Sequence, residues 1–176
     1  MKKALLVFLL LFLLGFNKTF AQSISSSSSV LSQVSYELPY PGILPNNPLY
    51  FLKAVRDNVL GFFITDPLKK SEYNLLQADK RLGSAKALLD MGQVDLSITT
   101  LSKSGNYFDQ AISKAEQAKS QGENTNDIFG KLILSSQKQQ LVIEEMIGKT
   151  KGDNKTSFKL LEERARDFEQ RAKIIK

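Results

Sequence analysis

The sequence contains no cysteine, no histidine and no tryptophan. Without cysteine there is no disulfide, no thiolate nucleophile and no lipid-attachment thiol. Without histidine or cysteine, the usual zinc sites and the Ser-His and Cys-His nucleophile systems are excluded. The glycines stand singly, so no glycine-rich phosphate loop is present. A one-signed charge field is missing too. The net charge is +6, but Lys2, Lys3 and Lys18 lie in the N-terminal segment. The 21 remaining basic residues face 18 acidic ones, a net charge of about +3 spread along mixed-sign segments. A nucleic-acid binder concentrates cations in a stripe that neutralises several phosphates, and no such stripe exists, so no nucleic-acid partner is expected.

What is present is enough apolar material for one buried core: 42% of 176 residues are hydrophobic. Met1 to Ala21 reads as a secretory signal peptide. Lys2-Lys3 supply the positive start, Ala4 to Phe16 an apolar run of 13 residues, and Thr19-Phe20-Ala21 a small residue at the cleavage position. The run is short against the roughly 20 residues of a spanning helix. An uncleaved anchor is the competing reading, and the only expected route to a membrane. Either way the rest of the chain is expected outside the cytoplasm, secreted or extracytoplasmic. Residues 22–35, with serine at every position from Ser25 to Ser29, read as a flexible tether that buries too little apolar surface to order itself.

Residues 36–47 form a proline-rich lead-in. Pro39, Pro41, Pro45 and Pro48 oppose helix and favour extended geometry. Tyr36, Tyr40, Ile43 and Leu44 are too apolar for a free linker and are expected to lie buried across the helices. The alternative makes Tyr36, Tyr40, Pro41, Ile43 and Leu44 a recognition segment for a partner.

From residue 48 to 176 the apolar residues recur at helical spacing. Helix 1 is expected from Pro48 to Ile64, capped by Asn47 with Pro48 at its first position, and facing the core with Leu49, Leu52, Val55, Val59, Phe62 and Phe63. Asp66-Pro67 starts helix 2, which is expected to reach Met91. Leu68, Leu75, Leu82 and Leu89 fall seven apart, and Ser71, Ala78 and Ala85 fill the seam between them. Gly92 ends that helix and forces an antiparallel hairpin with helix 3, expected from Gln93 to Gln121. Val94, Ile98, Leu101, Gly105, Phe108, Ile112 and Ala115 form its seam. Gly83 and Gly105 are expected where the two hairpin helices approach closely.

Helix 4 is expected from Thr125 to Ile147. Its middle, Ser135 to Gln140, is polar all round, so this helix is expected to be partly exposed. Helix 5, from Thr156 to Ile175, carries Phe158, Leu161, Ala165, Phe168, Ala172 and Ile175 on one face. The expected fold is therefore all-α: an elongated antiparallel bundle of about five helices after the lead-in.

Catalytic constellations are sparse. Glu144-Glu145 and Glu162-Glu163 are adjacent helical acids, which point about 100° apart rather than across a cleft. Ser71, and Ser113 beside Lys114, carry nothing to mark them as nucleophiles. Asp153-Asn154 and Glu123-Asn124 lack the ligand spacing of a calcium loop. Tyr73, Tyr107 and Phe108 suit core packing better than a ligand groove. No cofactor, metal or catalytic residue is expected.

Pro45-Asn46-Asn47-Pro48-Leu49-Tyr50-Phe51-Leu52-Lys53, Asp66-Pro67-Leu68-Lys69-Lys70 and Ala78-Asp79-Lys80-Arg81-Leu82 resemble the motifs of a bacterial family known only as a domain of unknown function. The resemblance runs from Leu38 to Lys119. It implies an extracytoplasmic helical module and carries over no catalytic residue. Leu82-Gly83 and Ala85 resemble, more faintly, a tetratricopeptide repeat, but no 34-residue repeat follows. The expected function is a non-catalytic interaction module of the cell envelope with a protein or envelope component as partner. A structural spacer and a histidine-independent hydrolase are the alternatives.

Overall fold

The computed structural model describes residues 34–176. The signal segment and most of the serine tether lie outside the described residues. Five helices and no strand occur among those described: α1 Tyr50–Phe63, α2 Pro67–Asp90, α3 Val94–Ser120, α4 Asn126–Gly148 and α5 Gly152–Ile175.

The α2 start follows the sequence. Asp66 is extended and its carboxylate accepts the Lys69 N–H at 2.7 Å, with Pro67 supplying a preset φ at the first helical position. At the far end Gly92 takes φ +76°. That left-handed residue lets the Gln93 and Gly92 N–H groups bond the Leu88 and Leu89 carbonyls, both at 2.9 Å, and reverses the chain.

The α2–α3 hairpin is held by buried serines. Ser97 Oγ donates to the Ala85 carbonyl, Ser104 Oγ to that of Ala78, and Ser71 Oγ to that of Ala111, each at 2.7 Å. As one helix ascends in number the other descends, so the pair is antiparallel. Small side chains bring the backbones close enough for a hydroxyl to reach a carbonyl across the interface. Pairs between α2 and α4 rise together instead: Glu72 with Lys131 (3.3 Å), Lys86 with Glu145 (2.5 Å) and Asp90 with Lys149 (2.7 Å). Helices α2 to α5 thus form an up-down-up-down bundle.

Two apolar clusters fill it. Leu75, Phe108, Ile112, Phe129, Leu132 and Phe168 centre one, with Phe108 and Phe168 stacked at 4.7 Å. Leu82, Leu101, Ile143, Met146, Phe158 and Ala165 centre the other. The seams expected for helices 2, 3 and 5 lie in these clusters, with Leu68, Val94, Ile98, Leu161 and Ile175 packed at their edges.

Several local expectations are corrected. Helix 1 begins at Tyr50, because the Asn47 side chain accepts the Leu49 N–H at 2.9 Å and closes a turn before the helix rather than capping it. Helix 5 begins a turn earlier than Thr156, at Gly152, with Asp153 in its first turn where the helix dipole favours an acid. Gly83 and Gly105 do not face each other's helices. Gly83 faces Pro41 of the lead-in, and Gly105 makes room for the Arg164 guanidinium of α5. Helix α4 is partly exposed, as expected, but at Lys131, Leu134, Glu144 and Glu145 and not through its polar middle, where Ser135, Ser136, Gln139 and Gln140 are buried. The Ser135 hydroxyl has a carboxylate to bond, the Ser136 hydroxyl bonds the Ile133 carbonyl of its own helix, and Gln140 reaches Glu169, so burial leaves few of these groups unpaired.

Candidate functional site

The largest departure from expectation is α1. Its buried residues are Asp57 and Gly61, flanked by the half-buried Tyr50, Lys53 and Ala54. At 100° per residue these five share one side of the helix. Phe51, Leu52, Val55, Val59, Phe62 and Phe63 share the opposite side, and all are exposed. The expected seam exists, but it points away from the bundle.

Polar contacts explain the orientation. The Tyr73 hydroxyl and the Lys70 ammonium donate to the Asp57 and Gly61 carbonyls, tying α1 to α2. Gly61 allows this, since a Cβ there would stand 3.0 Å from the Tyr73 ring. Burial raises the Tyr73 phenol above its ordinary value, with the Asp57 charge pushing the same way. The Asp57 carboxylate pairs with Arg56 at 2.7 Å.

The outward face is large. Phe51, Phe62 and Phe63 are 69%, 81% and 74% exposed. At about 200 Å² per side chain they alone present on the order of 400 Å² of apolar surface. That compares with the whole of the largest patch on an ordinary monomer. Covering it would be worth on the order of 10 kcal/mol.

The lead-in borders this face. Tyr40 is 83% exposed and Ile43 is also exposed, so neither is buried as expected, while Leu44 is half-buried. Between them and α1 lies a cavity of about 510 Å³ lined by Pro41, Leu49, Leu52, Lys53, Arg56 and Lys80. Tyr40 and Ile43 stay out because the lead-in is pinned elsewhere. The Lys53 ammonium donates to the Pro41 and Ile43 carbonyls at 2.7 and 3.3 Å. Burial holds that ammonium below its ordinary value, and Arg81, Lys80 and Arg56 push it the same way against Asp57.

Tyr36 is the other anchor of the lead-in. Its hydroxyl donates to Asp79 Oδ2 at 2.6 Å, and Ser135 Oγ donates to Oδ1 at 2.6 Å. Asp79 is 2% exposed and has no cationic partner among the described residues. Burial therefore pushes its carboxyl up to about 6, against the lowering effect of its two hydroxyl donors. Burial, and then the Asp79 charge, also raise the Tyr36 phenol well above its ordinary value. Asp79 sits in the quoted Ala78 to Leu82 motif, but only packing reveals that it is buried. Leu38 packs on the second core cluster, so the lead-in is partly core cover and partly exposed.

The other candidates lie apart. Glu145 is exposed and pairs with Lys86 and Lys149, Glu144 and Glu163 are exposed, and Glu162 pairs with Arg166. Ser71 is a helix-packing residue, and Lys114 bonds Gln117 at 2.7 Å. Asn124 accepts the Asn126 N–H at 3.2 Å as α4 starts, and Asp153 opens α5. Tyr107 stacks under the Arg81 guanidinium at 4.0 Å and Phe108 is buried. Among the described residues no cluster of three acids could hold a metal, and no helix is long and apolar enough to cross a membrane.

The family described as a domain of unknown function, DUF5667, matches residues 42–176. The chain belongs to that family. The DUF5667 match reaches beyond the resemblance seen in the motifs, taking in α4 and α5, and it includes the whole of α1. Tyr36, Tyr40 and Pro41 precede the matched segment. No curated protein and no solved structure matches the chain.

Proposed function

We propose that this DUF5667 protein is an exported, non-catalytic interaction module of the cell envelope that docks through the outward face of α1. One observation carries the reading: a helix tied to its own bundle by its polar side and presenting seven large apolar residues, Leu60 included, to solvent. Such a face destabilises nothing once a partner covers it. Tyr40 and Ile43 extend it, so part of the proline-rich lead-in belongs to the docking surface and part, through Tyr36 and Leu38, to the fold.

The absence of cysteine makes the test direct, because a single introduced thiol is labelled uniquely. An environment-sensitive fluorophore on Val59→Cys reports the centre of the face, and one on Glu163→Cys reports exposed α5. The chain recovered from an exporting host is mixed with its native envelope fraction. A blue shift and protection from iodide quenching at position 59 but not at 163 is the expected result. Equal, unchanged accessibility at both positions refutes the docking face.

A further inference from the structure

Resting on that docking face, we propose that its partner is the surface of an anionic lipid bilayer, with α1 lying in the interface and its apolar side sunk among the acyl chains. Three features select lipid over a protein partner. The strip from Phe51 to Phe63 on the outward side holds no hydrogen-bonding side chain, since Phe51, Leu52, Val55, Val59, Phe62 and Phe63 are its whole content. A protein interface needs directional contacts to set its register, on the order of ten hydrogen bonds for one of ordinary size. A bilayer asks for none.

The charge at the margin is the second feature. Lys53, Arg56 and Lys80 gather where α1 meets the lead-in and α2. The one acid of α1, Asp57, is buried and pairs with Arg56, which leaves Lys53 and Lys80 as the margin's cations without an ion pair among the described residues. Lys53 bonds only carbonyl oxygens there, and Lys80 forms no ion pair among the described residues, so neither ammonium is paired with a carboxylate. Cations flanking an apolar helical face are what a bilayer-surface helix presents at the headgroup level.

The third feature is shape and aromatic content. The face is one side of a helix, grooved only at Leu52 where the lead-in meets it, and Phe62 and Phe63 pack edge to face at its end. Tyr40, whose ring and hydroxyl suit the water–lipid boundary, stands on the same side as the cationic margin. No helix described is suited to cross the bilayer, so α1 would lie on it.

The test uses the labelled Val59→Cys and Glu163→Cys chains with vesicles of equimolar phosphatidylglycerol and phosphatidylcholine, or of phosphatidylcholine alone. The expected result is a blue shift at position 59 only, strongest with the anionic vesicles. Raising the salt, or Lys80→Gln, should weaken partitioning about fivefold. Phe62→Ser/Phe63→Ser, both at exposed positions, should abolish it while leaving circular dichroism unchanged. A position-59 label shifted by envelope fraction but by neither vesicle overturns the lipid partner and leaves the docking face standing. A label already shielded before any vesicle is added also overturns it. Shielding that falls on dilution then assigns the face to a second copy, and shielding that does not assigns it to another part of the same chain. A label open to iodide in every mixture removes both readings.

Discussion

Helices α1 and α4 invert the usual rule in opposite directions. In α1 the large apolar residues face solvent and Asp57 faces the bundle. In α4 the polar stretch Ser135 to Gln140 runs through the bundle, with four of its six residues buried. The two differ in what compensates. The buried or half-buried polar groups of α4 that bond another element recover most of their desolvation cost: Ser135 on Asp79 at 2.6 Å, and Gln137 and Gln140 on the two oxygens of Glu169, both at 2.7 Å. Burial pushes the Glu169 carboxyl up, but Lys173 and these two amides outweigh it and hold it below its ordinary value. Nothing within the described residues compensates the exposed face of α1. An inverted helix whose groups are satisfied internally is architecture, and one whose apolar side is left over is a surface for something else.

The widest gap between the two helices should appear in their phenylalanines. Phe129 of α4 is fully buried, and Phe129→Ala should cost about 3–5 kcal/mol. Phe62→Ala in α1 should change stability by less than about 0.5 kcal/mol. Urea denaturation of both variants measures the contrast. A large loss for Phe62→Ala would show that α1 packs against its own chain.

Next comes the acid on which α4 is buttressed. Asp79 has an ordinary value of 3.8 and a folded value of about 6. Between these the folded chain holds a proton that the unfolded chain has lost, so stability falls as pH rises across that window and levels off above it. The loss is on the order of 3 kcal/mol. Denaturation midpoints between pH 4 and pH 7 should show this slope in the parent chain relative to Asp79→Asn, in which that part of the slope disappears.

A smaller effect separates satisfied from unsatisfied polar burial within α4. Gln139 is 2% exposed and its amide nitrogen bonds no atom of the described residues. Gln139→Leu should therefore stabilise the fold by about 1 kcal/mol, whereas Ser135→Ala should destabilise it by about 1–3 kcal/mol. A thermal shift of the same sign for both would break the distinction.

The smallest global effect is expected at the α1 attachment. Gly61→Ala places a Cβ at 3.0 Å from the Tyr73 ring. It should speed amide hydrogen exchange across Tyr50–Phe63 while moving the unfolding midpoint little, because the bundle core lies elsewhere.

Much of this was legible in advance. Leu75, Leu82 and Leu89 with Ala78 and Ala85, read as a seam, are buried together, and Gly92 reverses the chain as its position suggested. Asp66-Pro67 starts α2 as written. The site was far less legible. Phe62, Phe63, Val55 and Val59 carry the same periodic signal as a core seam, and nothing local says whether their cover comes from the same molecule. Tyr36 and Tyr40 look equivalent in sequence, yet one bonds a buried carboxylate and the other is open to solvent. Ser135 and Gln140 looked solvated because hydropathy carries no information about which acids will stand opposite.

Sequence alone determined the helices, their breaks and the amphipathic face on each, because these depend on residues within a few positions of one another: caps, prolines, a left-handed glycine and apolar side chains every three or four residues. Only the tertiary structure decided which way each face turns. Burial is a property of what arrives from distant parts of the chain, and here Tyr73, Lys70 and Asp79 decide it, holding α1 by its polar side and making a polar middle of α4 fit inside.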